Sequence, residues 1–136
     1  MELFWTEDLS AGYSIIDSQH KELLTQFNTL LKACEDGKSS DEIEQLFYCI
    51  VEHFASHVEE EEHLMSQLNF QDHATHSQQH CEFFNNIQEV HEELNVNGVS
   101  VSFIAAINHV LLDWLLNHVK QYDVKLGHFL AVQPQQ

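Results

Sequence analysis

The sequence contains no arginine, and its fixed cations are five lysines, Lys21, Lys32, Lys38, Lys120 and Lys125. Against them stand 22 aspartates and glutamates, so the net charge is −17 with histidine neutral. A chain so short of positive charge has no basic stripe for a phosphate backbone and no patch for anionic headgroups, which excludes nucleic acid and the membrane surface as expected partners. Proline occurs once, at Pro134, and glycine four times, so the interior lacks the residues that break helices. The three cysteines, Cys34, Cys49 and Cys81, are odd in number and form no CxxC pair. That excludes a disulfide framework and a thiolate zinc knot, and it suits a reducing compartment. No apolar run approaches the ~20 residues that cross a bilayer, and the opening "MELFWTEDLSAGY" has acids where a signal peptide needs positive charge. A cytoplasmic protein is expected, with one domain over residues 1–130 and a polar tail or linker start at 131–136.

What the chain has in excess is histidine, eleven in all. Turn-forming punctuation at "EDGKSSDE", "NFQDHA" and "NVNGVS" divides the chain into four stretches with helical periodicity. The first stacks Ile16, His20, Leu23, Leu24, Phe27, Leu31 and Cys34, with Asp17 as a candidate N-cap and Gly37 as a candidate stop. The second, with Ser39 and Glu42 in capping-box spacing, stacks Leu46, Ile50, His53, Phe54, His57, Glu61, Leu64 and Leu68. The third stacks His76, His80, Phe83, Phe84, Ile87 and Leu94, and the fourth Phe103, Ile104, Ile107, Leu111, Trp114, Leu115 and His118. Short connections between amphipathic helices predict an all-α fold, an antiparallel up-down-up-down four-helix bundle behind an extended N-terminal arm. Each helix brings histidine to its apolar stripe.

The run "HVEEEEH" sharpens the point. With His57 as the zero of the helical wheel, Glu61 lies roughly 40° away, whereas Glu59, Glu60 and Glu62 lie roughly 200°, 300° and 140° away. Only Glu61 shares the apolar stripe; the other three read as a solvated face. A buried carboxylate is costly unless paired or bound to a metal. His76 and His80, four apart, can chelate one ion from a single helix face. His118 and Asp123 are five apart, roughly 140° on an ideal helix, so both face the core only if the helix ends or bulges near Lys120 to Tyr122. Five inward imidazoles (His20, His57, His76, His80, His118) and two inward carboxylates (Glu61, Asp123) exceed what one ion takes. Imidazole and carboxylate without thiolate suit iron or manganese better than copper(I) or structural zinc, and two ions bridged by carboxylates is the economical arrangement.

These residues resemble the hemerythrins, most closely the bacterial hemerythrin domains. The likeness runs from Trp5, Tyr13 and "ID.QHKEL" (Ile16, Asp17, Gln19, His20, Lys21), through HxxxE at His57 and Glu61 with Met65 and Phe70 downstream, to HxxxH at His76 and His80 and HxxxxD within "WLLNHVKQYD". One departure is that the family's "HF" falls at His53-Phe54, one turn before His57, so a register shifted to His53 is the alternative. Counting back from Met65 and forward to His76 favours His57 with Glu61, because four residues after His53 stands a histidine and not an acid. His53 is then a core or supporting residue, and His63, His73, His91, His109 and His128 carry no assigned role.

The resemblance implies two iron ions with an oxo or hydroxo bridge: His76, His80 and His118 on one, His20 and His57 on the other, and Glu61 and Asp123 across both. It implies dioxygen bound at the less-ligated iron, and small anions at the same position. The oxygen pocket would be walled by Leu23, Leu24, Phe27, Phe54, Leu111, Trp114 and Leu115, one turn from the ligands. No general acid or base is visible in that wall, so binding is expected over catalysis, and a diiron oxidase or peroxidase is the rival. Ferritin-like oxidases use mostly carboxylates with a Glu-x-x-His motif, unlike this chain, and a zinc hydrolase lacks its HExxH, since "HEELN" at His91 has no second histidine. Bacterial relatives are often fused to output domains, so the expected role is an oxygen or redox sensor module of a longer signalling protein, with a stand-alone oxygen carrier or store as the alternative.

Overall fold

The computed structural model describes residues 5–133, and those residues fold as helices without a strand among them. A single 3-10 turn, Glu7–Leu9, precedes α1 (Ser14–Glu35), α2 (Ser40–Gln67) and α3 (His73–Asn97). The fourth helix, α4, is one continuous run of five segments: Val101–Ala106, Ile107–Leu112, Asp113–His118, Val119–Asp123 and Val124–Ala131. Its second and fourth segments are π-helical. No described helix is long and apolar enough to cross a membrane. The expected tail beyond Gln133, including Pro134, lies outside the described residues.

Local chemistry sets the helix ends. Ser39 Oγ accepts from Glu42 N–H at 3.2 Å to open α2, and Ser100 Oγ accepts from Phe103 N–H at 3.0 Å to open α4. Gly37, at φ +71°, ends α1 by letting Lys38 N–H reach back to Ala33 O at 3.0 Å. Asn69 does the same for α2 in the left-handed region, at φ 53°, with Phe70 N–H on Met65 O at 3.0 Å. The start of α1 differs from expectation. Tyr13, not Asp17, is the cap, and Asp17 lies in the first turn. Its carboxylate accepts from Ser10 Oγ at 2.6 Å and Ala11 N–H at 2.7 Å, so it fastens the N-terminal arm instead of the helix's own amides.

The helix α3 runs opposite to both α2 and α4. Along α2 and α3 the partners Glu62 and His73, Phe54 and Phe83, then Tyr48 and His91 run down one helix as they run up the other. The pairs His76–Tyr122, Phe83–Trp114 and Asn86–Val110 do the same for α3 and α4. Two apolar clusters hold the bundle. The larger, with Leu23, Phe27, Phe47, Phe54, Phe83 and Phe103 fully buried, fills most of its length. The smaller gathers Ala11, Ile16, Met65, Phe70, Leu126 and Leu130 at one end. The predicted stripes shift slightly: Leu30 is buried where Leu31 was expected, and Ile43, Phe47 and Met65 where Leu46, Leu64 and Leu68 were, each of the latter being half-buried. Adjacent apolar residues compete for the same stripe, and the one nearest the neighbouring helices is buried.

Between the two clusters every helix is polar on its inner face. On α1 the order is Ile16, His20, Leu23; on α2 it is Phe54, His57, Glu61, Met65; on α4 it is Leu115, His118, Asp123, Leu126. The polar layer is thus sealed by hydrocarbon on both sides.

Candidate metal centre

The structure brings together all seven side chains singled out by the helical pattern, His20, His57, Glu61, His76, His80, His118 and Asp123, none more than 3% exposed. The placement of Asp123 depends on the π segment Val119–Asp123, the bulge that the five-residue spacing demanded. In a π turn the repeat is i to i+5, so residues five apart come nearly into line and His118 and Asp123 both face inward.

The geometry divides into two halves. Glu61 Oε1 lies 3.2 Å from His76 Nε2 and 3.0 Å from His80 Nε2, while Asp123 Oδ1 lies 3.0 Å from His76 Nε2 and 2.9 Å from His118 Nε2. The other oxygens face the other way. Asp123 Oδ2 lies 2.8 Å from His20 Nε2 and 3.6 Å from His57 Nε2, and Glu61 Oε2 lies 3.3 Å from His57 Nε2. Each carboxylate therefore gives one oxygen to a three-histidine half and one to a two-histidine half. The donor atoms form two compact groups, Glu61 with His76, His80, His118 and Asp123, and His20 with His57, Glu61 and Asp123.

These contacts satisfy some of the atoms that make them and leave others unmet. His57 Nε2, Glu61 Oε2, His118 Nε2 and Asp123 Oδ1 are buried without a hydrogen-bond partner among the described residues. His118 Nε2 and Asp123 Oδ1 are 2.9 Å apart yet out of line for a hydrogen bond, so both point at a common centre rather than at each other. Two donors at right angles on an ion about 2.1 Å from each lie about 3 Å apart, which is the spacing seen here. Buried donors that lack partners and converge in two groups fit two cations, and the all-nitrogen and oxygen donor set suits a first-row metal.

Without an ion the layer polarises itself. Burial disfavours a charged His57, but Glu61 and Asp123 beside it prevail and push it up to about 10. His76 follows for the same reason, burial being outweighed by its bonds to Asp123 and Glu61, and rises to about 9. For His118 burial wins over Asp123, and the ring is held below the ordinary histidine value. Burial and their mutual repulsion would raise the two acids, but the imidazoles hold Glu61 and Asp123 below the usual carboxylate range.

The outer edges of the imidazoles are held too. His57 Nδ1–H donates to Gln19 Oε1, and Gln19 Nε2 donates to Glu60 Oε2 at 2.6 Å. His80 Nδ1–H donates to Glu62 Oε2 at 2.7 Å. His118 is clasped between two rings, Trp114 at 4.8 Å and 10° and Tyr122 at 5.5 Å and 14°. Trp114 is half-buried, and its Nε1–H donates to Glu82 at 2.9 Å. Glu60 and Glu62 are therefore not merely a solvated face, a correction to the reading of "HVEEEEH". Of the three, only Glu59 has no side-chain partner among the described residues. A single helical wheel could not reveal this, because their partners are on α1 and α3. For Gln19 the signal was its place immediately before His20.

Beside the two-histidine half lies an apolar cavity of about 10 Å³, room for about one water-sized sphere. Leu9, His20, Leu24, Leu115, Leu116 and Val119 line it. Of the expected wall, Leu24 and Leu115 are there; Leu23, Phe27, Phe54 and Leu111 are in the main apolar cluster, and Trp114 covers the outer face of His118. Leu9, Leu116 and Val119 were not anticipated, Leu9 because nothing in the sequence shows the arm folding back. His53 is half-buried on α2 and belongs to neither donor group. His73 reaches Glu62, His91 reaches Tyr48, His109 reaches Asp113, and His63 and His128 are exposed.

Comparison with known proteins identifies the family of the chain. The family described as "Hemerythrin HHE cation binding domain" matches residues 11–128. The chain is 30% identical over 131 residues to a bacteriohemerythrin of Pseudomonas paraeruginosa, covering 96% of this chain and 82% of that protein. It is 25% identical to a myohemerythrin of Sipunculus nudus, and 27% identical to a hemerythrin-like protein of Naegleria gruberi, each over 89% of this chain and 88% and 87% of theirs. No solved structure gives a significant match. With the family's pattern matched across nearly the whole bundle, the chain belongs to the hemerythrin HHE cation binding domain family.

Proposed function

We propose that this chain is an oxygen-binding hemerythrin domain whose buried layer holds two irons. His76, His80 and His118 hold one, His20 and His57 hold the other, and Glu61 and Asp123 span both. The observation that carries the reading is the split of the two carboxylates, each with one oxygen toward the three-histidine half and one toward the two-histidine half. That inequality would leave an ion in the two-histidine half with one fewer imidazole, and the cavity at His20 lies next to it. Two irons, when bound, supply the redox-active centre to which dioxygen or a small anion adds.

The surrounding residues support binding rather than turnover. Apart from His20 itself, the cavity is lined by hydrocarbon, with no acid or base to deliver a proton to a bound molecule. Leu24, Leu115, Leu116 and Val119 exclude water from that space, and a dry, proton-poor wall slows loss of the bound ligand by oxidation of the centre. Sensing of oxygen or redox state within a longer signalling protein and stand-alone carriage would both use this centre. They differ in the lifetime of the oxygenated form, since a sensor can use oxidation as its output and a carrier must prevent it.

The test begins with metal analysis of purified protein, with two irons per chain expected. Anaerobically reduced protein should then colour on exposure to dioxygen. A form that releases dioxygen under vacuum supports carriage, and rapid oxidation supports sensing. One zinc and no iron would sink the proposal, and sustained turnover of an added reductant would replace it with an oxidase.

A further inference from the structure

Glu62 is a carboxylate one residue beyond the inward Glu61, yet it faces α3 and not the metal layer. Its side chain is 32% exposed, and three donors from one face of α3 converge on it. His80 Nδ1–H reaches Oε2 at 2.7 Å, while Ser77 Oγ–H at 2.5 Å and His73 Nε2 at 3.0 Å share Oε1. Across the same His80 ring, Nε2 faces Glu61 Oε1 at 3.0 Å. The Glu62 bond therefore fixes which nitrogen carries the proton and leaves the inner one as a donor.

The two-histidine half is built differently. There His57 Nδ1–H donates to a neutral amide, Gln19, and the negative charge of Glu60 stands one hydrogen bond farther out. His20 Nδ1 and His118 Nδ1 have no hydrogen-bond partner among the described residues. An imidazole that donates to a carboxylate gains anionic character and is a stronger ligand, which favours the more highly charged metal. The strongest such push is on His80, in the half that already has the extra imidazole.

We infer that Glu62 is a positioning residue for His80, holding its tautomer and orientation and making the three-histidine half the more electron-rich of the two. Glu60 acts on His57 in the same sense but more weakly, through the Gln19 amide. The inference rests on the diiron reading given above. Its rival is that Glu62 only clamps α2 to α3, and a clamp would act equally through Ser77 and His73.

The experiment compares wild type, E62Q, E62D and the double variant Ser77→Ala/His73→Asn by iron content and by redox titration under argon. Two irons in the wild type are required first, and a wild type without iron fails the diiron reading itself. Given two irons, E62Q keeps the shape of the acceptor but loses its charge, and its midpoint potential should move positive. The double variant should stay at the wild-type value. A 10- to 100-fold loss of iron affinity in E62Q is the expected scale for such a partner. Wild-type potential and affinity in E62Q would overturn the inference. Should E62Q fail to load iron, E62D decides, because it keeps the charge on a shorter arm. Recovery in E62D supports the role, whereas equal losses in E62D and in the double variant assign Glu62 to clamping and overturn it.

Discussion

Gly127 and Ala11 touch so closely that a Cβ built on Gly127 would fall 2.2 Å from the Ala11 carbonyl oxygen and 2.4 Å from its Cβ. The N-terminal arm is therefore seated on α4 at a point where only glycine fits, and Asp17 pins the same stretch from the other side. Gly127→Ala should force the arm outward and lower stability by about 1–3 kcal/mol, as overpacking does. Chemical denaturation of the iron-free chain measures it. An unchanged midpoint would mean that the arm is not seated as described.

The register of α2 is tested by alanine at His53 and His57. His57→Ala removes a buried donor of the two-histidine half and should lose iron. His53→Ala should keep two irons and change stability by less than about 1.5 kcal/mol, since His53 is only half-buried. Iron analysis of the two proteins separates the registers, and the opposite pattern would move the ligand set one turn toward the N-terminus.

Leu23 and Leu24 are both buried on α1, but only Leu24 lines the cavity at His20. Either alanine variant should cost about 2–5 kcal/mol in stability. Leu24→Ala should in addition admit water beside the two-histidine half and shorten the life of the oxygenated form, which Leu23→Ala should largely spare. Stopped-flow spectra of the reduced proteins mixed with dioxygen make the comparison, and equal lifetimes would place the oxygen pocket elsewhere.

Without iron, the layer is held by imidazolium and carboxylate. His57 and His76 have values raised from the ordinary 6.5 to about 10 and about 9, so their contribution is fully present below pH 6.5 and is lost as pH rises through 9 to 10. Glu61 and Asp123 are lowered, so theirs is present above the ordinary values of 4.5 and 3.8 and is lost as pH falls below them. His118, held below the ordinary 6.5 by burial, acts the other way and costs stability as pH falls below that value, so the iron-free chain should be most stable near pH 6.5 as far as this layer is concerned, and should weaken steadily toward pH 10. Iron replaces those protons, so loading at neutral pH should release them, and the loaded protein should lose the alkaline decline. Melting curves across pH, with and without iron, test both statements.

Much of this was legible in one dimension. The scarcity of proline and glycine, and the recurrence of apolar residues every three or four positions, as in Phe103, Ile107, Leu111 and Trp114, were enough for four helices, because a helix's own period is written in its sequence. The inward set was legible because histidine and carboxylate on an apolar stripe have no cheap alternative. Contacts between helices were not legible. Glu62 on His80, Glu60 on Gln19 and Leu9 in the cavity wall each depend on how one element is rotated against another, which no single wheel encodes. Asp17 was misread for a related reason: an acid near a helix start serves either the helix or the arm before it, and the choice is made by where the arm lies.

The π segment Val119–Asp123 does more than turn one carboxylate inward. It amounts to one extra residue in the winding of α4, so everything beyond Asp123 is rotated by about 100° from where an unbroken α-helix would carry it. Leu126 and Leu130 meet Ile16 and Phe70, and Gly127 meets Ala11, only in that rotated setting. Were Val119–Asp123 to wind instead as ordinary α-helix with no residue removed, Asp123 would turn away from both halves of the centre and the arm would lift off its seat in a single stroke. The far end of the bundle and the middle of the metal layer share one phase.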